Sequence, residues 1–243
     1  MPSIELKKLK VTYYNDSIVT VALDDLDATF IDGEITAIVG PSGCGKTTLI
    51  RAICGFLDYE GEILADNEDY AQFDFKQRNL AYVDQTITLN PNNDVYNCIA
   101  SPLIINKVKR QEIDQRVKDI AKALGIEKYL SLFPTQLSAG QNQLVQIAKA
   151  LIKRPKLILL DEAFSGIDPE SKKRLFNYIK QQHLEDHSTI LFTTHSDSDV
   201  FELADKVAIM EKGRVISMIN RDDKQFAYIK NLLENKTNDE SSR

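Results

Sequence analysis

Apolar positions along the chain follow more than one spacing, and the changes between spacings mark its organisation. From residue 3 to 31 they alternate loosely: Ile4, Leu6, Leu9 and Val11, then Val19, Val21, Leu23, Leu26 and Phe30. That spacing puts successive apolar side chains on one face of a sheet, so it predicts half-buried antiparallel strands with a turn at Asn15-Asp16-Ser17. Asp32-Gly33 predicts a second turn. Ile35 to Val39 is a short apolar, β-branched run, and Leu49 to Ile53 suits a helix closed by Gly55. Residues 58–79 are polar, with a turn expected at Glu60-Gly61-Glu62. Leu80-Ala81-Tyr82-Val83 predicts a buried strand that ends at Asp84-Gln85.

The pattern changes over residues 86–136. Asn90-Pro91-Asn92-Asn93-Asp94 reads as a loop. Gln111 to Leu124 places Ile113, Val117, Ile120, Ala121 and Leu124 on one helical face, and Gly125 ends it. A further helix opens at Leu137-Ser138-Ala139-Gly140-Gln141, carries Leu144, Ile147, Ala148, Leu151 and Ile152, and is stopped by Pro155. Leu157 to Leu160 and Thr189 to Thr193 are buried-strand runs. Asp168-Pro169 starts a helix, with the aspartate as cap and the proline at the first position. Val207–Met210 and Val215–Ile219 predict a hairpin around Lys212-Gly213, Phe226 to Leu233 a short final helix, and Lys236 to Arg243 a frayed end. The whole reads as one α/β domain. Its core covers 1–88 and 153–222, a helical section is inserted at about 89–152, and a tail runs from 223 to 243.

Chemistry enters at Gly40-Pro41-Ser42-Gly43-Cys44-Gly45-Lys46-Thr47-Thr48. The stretch fits G-x-x-x-x-G-K-[ST] and lies between a strand and a helix, the context a phosphate loop needs. Its glycines let successive amides turn inward on phosphate oxygens, and the following helix adds its positive end. Lys46 would reach the β- and γ-phosphates, and the Thr47 hydroxyl would ligate Mg²⁺. Asp161-Glu162 ends a strand run, where adjacent carboxylates are costly unless solvated or paired with a cation. Beside a phosphate loop, Asp161 suits the Mg²⁺ shell through water and Glu162 suits activation of the attacking water. His195 follows another strand end. Ser138 caps a helix whose free amides also suit a phosphate. Tyr13 and Tyr14 stand beside the first turn, where an aromatic either stacks on adenine or simply occupies a sheet edge.

Composition narrows the setting. Among 243 residues, 27% are charged, 43% are hydrophobic and the net charge is −6, which argues against a basic nucleic-acid-binding face. Cys44, Cys54 and Cys98 are odd in number and lack metal spacing, so reduced thiols in a cytosolic protein are expected. Alkylation of Cys44 is expected to block nucleotide. No apolar run approaches the ~20 residues of a membrane span, and Met1-Pro2-Ser3-Ile4-Glu5 lacks the apolar segment expected of a signal peptide. A soluble chain, brought to any membrane by a partner, is expected.

The order phosphate loop, Gln85, Leu137-to-Gln141, Leu157-to-Glu162, Ser165-Gly166-Ile167-Asp168 and His195 resembles the ATP-binding cassette (ABC) family. It looks like the nucleotide-binding subunit of an ABC transporter, over about Ile4 to Ile219. The resemblance implies an α/β fold with a P-loop (RecA-like) core, an N-terminal antiparallel β-subdomain and a helical subdomain insertion. It implies that Tyr13, or Tyr14, stacks on adenine and that Gly40 to Thr48 is the Walker A loop. Gln85 would contact Mg²⁺ and the attacking water and report to the membrane partner. Leu137 to Gln141 would be the signature, Asp161 and Glu162 the Walker B aspartate and catalytic glutamate, Asp168 the D-loop aspartate, and His195 the switch histidine at the γ-phosphate.

A second cassette, identical or related, is implied as well. Each ATP would lie between one Walker A loop and the other chain's signature helix, where Ser138, Gly140 and Gln141 stand. Four residues depart from the family pattern: Ala139 for glycine, Leu144 for arginine, Ala163 for proline and Ser196 for an acid. The family likeness favours an importer with separate transmembrane permease subunits and a cytoplasmic position on the inner face of the cell membrane. An exporter cassette and a soluble ABC switch are the alternatives.

Overall fold

The computed structural model describes residues 3–15, 18–73, 78–86 and 89–229. In chain order the strands and helices are β1 (Ile4–Asn15), β2 (Ile18–Phe30), β3 (Ile35–Val39), α1 (Lys46–Cys54), β4 (Glu60–Ala65), β5 (Glu68–Asp69), β6 (Leu80–Val83), α2 (Val95–Ile105), α3 (Arg110–Leu124), α4 (Ala139–Leu151), β7 (Leu157–Asp161), α5 (Pro169–Asp186), β8 (Thr189–Thr193), α6 (Asp197–Leu203), β9 (Lys206–Glu211) and β10 (Arg214–Asn220).

They build two sheets. The first is antiparallel, in the order β2-β1-β4-β5. β1 and β2 pair from Ile4↔Phe30 to Asn15↔Ile18; Asp16 and Ser17 of the expected turn lie outside the described residues. The loose alternation in β1 has a structural cause. Ile4 and Leu6 face the core, and so do Leu9 and Val11, and the odd step between the pairs is absorbed by a register shift at Lys8, whose φ is 49°. The turn expected at Glu60-Gly61-Glu62 is not there; these residues begin β4. A Cβ on Gly61 (φ +93) would lie 2.4 Å from the Lys8 carbonyl oxygen. The glycine serves the bulge it passes rather than a turn.

The second sheet has the order β10-β9-β3-β8-β7-β6. β9, β3, β8, β7 and β6 are parallel, and β10 returns antiparallel on β9. A parallel sheet covered on both faces needs unbroken apolar strands. In β7, Leu157 and Leu159 face α1 and the antiparallel sheet, while Ile158 and Leu160 face the helices on the other side. Each such fully buried side chain contributes about 1.5–3 kcal/mol.

Helices α2, α3 and α4 lie between β6 and β7 and pack on one another. The pattern of the sequence does not single out α2, because Val95–Ile105 is apolar nearly all round and has no helical stripe. Asp94 caps it by accepting from Asn97 N at 2.8 Å, and the Ser101 hydroxyl donates to Cys98 O, one turn before Pro102 could leave a carbonyl unpaired. α4 ends at Leu151 in a turn that passes through Arg154 (φ 53°). Residues 226–228 of the expected final helix belong to a 3₁₀ turn over Lys224–Tyr228; residues 230–243, which include the end of that expected helix and the expected frayed end, lie outside the described residues. Among the described residues no helix is long and apolar enough to cross a membrane.

Candidate functional site

Because β3, β6, β7 and β8 are parallel, their C-terminal ends form one edge. Register sets Ile38 beside Thr193, Thr193 beside Asp161 and Leu160 beside Val83. Asp161 and the residues that follow these strands gather there: the loop 40–45, Glu162, Thr194-His195 and Asp84-Gln85. Open α/β sheets place their ligands at this edge.

The loop from Gly40 to Gly45 depends on close backbone approach. A Cβ on Gly40 would lie 2.2 Å from Met210 O. Gly45 has φ +108, and a Cβ there would lie 2.7 Å from Ala22 O. Cys44 N donates to Pro41 O at 3.3 Å, and Gly213 N donates to Cys44 O at 2.9 Å. No side chain caps α1 and no acid stands in its first turn, so its leading amides and partial positive charge face the loop. Lys46 is buried, and its ammonium donates to Gly40 O at 2.9 Å and Pro41 O at 3.1 Å. The Cys44 side chain is also buried, within the core beneath the loop.

Over this loop lies a cavity of about 330 Å³, lined by Ser42, Gly43, Gly45, Lys46, Thr47 and Thr48, by Thr20 to Ala22 of β2, by Tyr13 and by Glu162. Tyr13 Oη lies 3.4 Å from Thr48 Oγ1. Tyr14, the other tyrosine at this turn, is 76% exposed and lines none of the cavity.

Asp161 is 4% exposed and accepts from the Thr193 hydroxyl at 2.7 Å. The same hydroxyl oxygen accepts from Glu162 N at 2.8 Å. One buried threonine therefore ties both acidic residues to β8. Glu162 has φ 50°, an uncommon conformation for a side chain of its kind, and the Thr193 contact helps hold it. Its carboxylate lies 3.0 Å from His195 Nε2. In the sequence Thr193 is only the last residue of a buried-strand run, with no role at the site. A threonine inside a strand run reads as a β-former, and only the pairing with Asp161 gives its hydroxyl a task.

Gln85 is exposed. Its backbone neighbours are held by α4: Gln146 Nε2 donates to Thr86 O at 3.1 Å and Asp84 O at 3.4 Å, and Gln143 Nε2 reaches Asp84 O at 3.5 Å. Ser138, Gly140, Gln141 and Asp168 are not gathered with the others; the cavity takes none of its lining from them. Ser138 and Gln141 form a capping box, with Gln141 N donating to Ser138 Oγ at 3.3 Å and Ser138 N to Gln141 Oε1 at 2.9 Å. A Cβ on Gly140 would lie 2.3 Å from Gly166 O, so the start of α4 is pressed against the segment before Asp168. Asp168 caps α5, and hydrogen bonds from the Ser171 amide and hydroxyl hold its carboxyl below the usual range.

The four departures find places. Ala139 takes no positive φ, Leu144 and Ala163 are buried in the core, and Ser196 caps α6 by accepting from Asp199 N at 3.3 Å.

A phosphate loop at the C-terminal edge of a parallel sheet, with an acidic strand end and a histidine beside its cavity, defines a phosphate-loop nucleotide-binding protein of the α/β type. The family model described as ABC transporter matches residues 23–165, and the chain belongs to that family.

Similar proteins include the spermidine/putrescine import ATP-binding protein PotA of Mannheimia succiniciproducens, 34% identical over 88% of this chain and 57% of its own length. The molybdate/tungstate import ATP-binding protein WtpC of Pyrococcus abyssi is 41% identical over 74% of this chain and 53% of its own. The chain thus spans a little over half the length of these relatives. Among solved structures, the dimeric post-hydrolysis state of the ATP-binding cassette MJ0796 bound to ADP and Pi is 26% identical and superposes with a TM-score of 0.82, covering 90% of this chain and 99% of that one.

Proposed function

We propose that this chain binds ATP and Mg²⁺ on the phosphate loop, hydrolyses the ATP with Glu162 as the group that activates water, and so energises an importer. The observation that carries the reading is that Glu162 lines the same cavity as Lys46 and Thr47 and is paired with His195.

The residues fit Mg²⁺. The Thr47 hydroxyl, Gln85 carboxamide and Asp161 carboxylate are oxygen donors of the kind a hard cation takes. Asp161 is a buried carboxylate whose hydrogen bond comes from the neutral Thr193 hydroxyl, an arrangement that favours a nearby cation. When bound, the ion would offset phosphate charge. The loop amides and Lys46 hold the β- and γ-phosphates, Tyr13 stacks on the adenine, and Glu162 accepts a proton from the attacking water. His195 orients Glu162 and meets the γ-phosphate.

The second half of each site comes from another cassette, whose Ser138, Gly140 and Gln141 close on the γ-phosphate, with Asp168 lining the contact. The helical section 89–152 acts as a subdomain. A groove of about 380 Å³ beside Gln85, lined by Tyr82, Asp84, Pro102 and Gln146, suits a helix from a permease subunit on the inner face of the membrane. The import names of the relatives support this direction of transport. Their cargoes differ in chemistry, a polyamine in one and an oxyanion in another, so cassette likeness does not select a substrate.

Glu162→Gln is the test. Hydrolysis is expected to fall on the order of a hundredfold or more while ATP stays bound, since only the proton acceptor is lost. Wild-type turnover in that variant overturns the assignment. Lys46→Ala is expected to lose ATP affinity, because it removes the cation facing the phosphates; isothermal titration with unchanged affinity counts against the phosphate-loop reading.

A further inference from the structure

His195 has a support that the reaction scheme above does not use. Its side chain is 46% exposed and, among the described residues, hydrogen-bonds to Glu162, so the ring is placed chiefly by its backbone. That backbone is held from behind by Asp199, which is 2% exposed. One carboxylate oxygen, Oδ2, accepts from the Thr194 hydroxyl at 3.0 Å, and the same hydroxyl oxygen accepts from Ser196 N at 3.0 Å. Ser196 Oγ in turn accepts from Asp199 N at 3.3 Å. Both neighbours of His195 in the chain are thus tied to one residue.

The other carboxylate oxygen, Oδ1, accepts from Lys172 Nζ at 2.9 Å. Lys172 lies on α5, one turn after its cap Asp168, and its amide donates to Asp168 O at 2.9 Å. A buried carboxylate is tolerated when it is paired and hydrogen-bonded, and removing one partner leaves an uncompensated charge. The pair therefore fixes the distance between the start of α5 and the loop that carries His195.

We infer that Asp199 and Lys172 are positioning residues for His195, tying the imidazole to the start of α5 through Thr194. The inference rests on the proposed hydrolytic role of His195. A shift of Asp168 would be passed to the imidazole through this one ion pair.

Two readouts test it, one of them independent of hydrolysis. His183, His187 and His195 are the three histidines of the chain, so the ring proton resonance of His195 is assigned by its loss in His195→Ala. Asp199→Asn is expected to shift that resonance and leave the other two in place. Thr194→Val, which keeps the ion pair and removes the bridge, does the same and serves if Asp199→Asn does not fold. In steady-state assays both variants are expected to lower kcat about tenfold, with KM for ATP changed less than about twofold, as for a misplaced rather than missing catalytic group. Lys172→Arg restores what Lys172→Met loses. On a His195→Ala background, Asp199→Asn adds less than about twofold, because both act through one group.

A His195 resonance unmoved in both variants, or a kcat loss that adds in full to that of His195→Ala, overturns the inference. A moved resonance in a chain that does not turn over ATP leaves it standing and removes the hydrolytic reading instead.

Discussion

Thr193 shows how much a single buried hydroxyl decides. It donates to Asp161 and accepts from Glu162 N, so it sets the separation of the group proposed to face Mg²⁺ from the group proposed to face water. Thr193→Val keeps the shape and removes both bonds. The variant is expected to lose about 1–3 kcal/mol of stability in a denaturant titration, the cost of buried groups left unpaired. It is also expected to lose about tenfold in kcat; a loss of stability with unchanged kcat would make Thr193 a strand residue only. Asp161, Glu162 and His195 were legible because polar residues at the ends of apolar runs stand out. Thr193 was not, because its role exists only across a strand pair that the sequence does not display. Cys44 is the opposite case. Its place in the loop suggests that alkylation blocks nucleotide, yet Cys44, Cys54 and Cys98 are 4%, 1% and 3% exposed, and burial pushes the Cys54 and Cys98 thiols up. Unmodified by a thiol reagent in the native state and fully titrated after unfolding is the expected result; a fast-reacting thiol in the native chain would show that the loop opens.

At the scale of elements, the starts of α4 and α5 are joined. Gly140 leaves no room for a side chain against Gly166 O, so Gly140→Ala must push the two segments apart. Overpacking of this kind is expected to cost about 1–3 kcal/mol, read as a lower midpoint in a urea titration; an unchanged midpoint means the contact yields freely. Asp168→Ala removes the cap of α5 and is expected to cost ~1 kcal/mol at neutral pH. The sign of its pH dependence follows from the carboxyl being held low in the folded chain. Its contribution is complete above the unfolded carboxyl value, about 3.9, and is lost as pH falls through the lower folded value. Wild type and variant should therefore differ at pH 6 and converge in strong acid. Elements with a regular stripe, such as α3, or an unbroken apolar run, such as β7, could be read directly. α2 is apolar nearly all round, α6 is too short to show a period, and Gly61, the second residue of β4, mimics a turn. In each, long-range packing overrides the local signal.

At the scale of the whole molecule, the phosphate loop and the start of α4, both proposed to serve the nucleotide, do not share one cavity. The phosphate-loop cavity has Tyr13, Lys46, Thr47 and Glu162 on its walls, while Ser138 is exposed and contributes nothing to it. The start of α4 is pressed against the segment before Asp168, and neither Ser138, Gly140 nor Gln141 lines the cavity that holds Lys46. If both serve one nucleotide, a second chain must supply the missing half, and two head-to-tail chains then form two composite sites. This can be tested by mixing. In a Glu162→Gln background with ATP, the chain is expected to elute as a dimer in size exclusion. Adding Lys46→Ala disables every phosphate loop, and adding Ser138→Arg disables every facing helix, so each of these double variants alone is expected to remain monomeric. Mixed together, they restore one complete site, formed by the loop of the Ser138→Arg chain and the helix of the Lys46→Ala chain. The mixture should recover a dimer with one ATP bound per pair. No pairing wholly within one chain can produce that rescue, and a mixture that stays monomeric while the parent Glu162→Gln chain dimerises would exclude the head-to-tail arrangement.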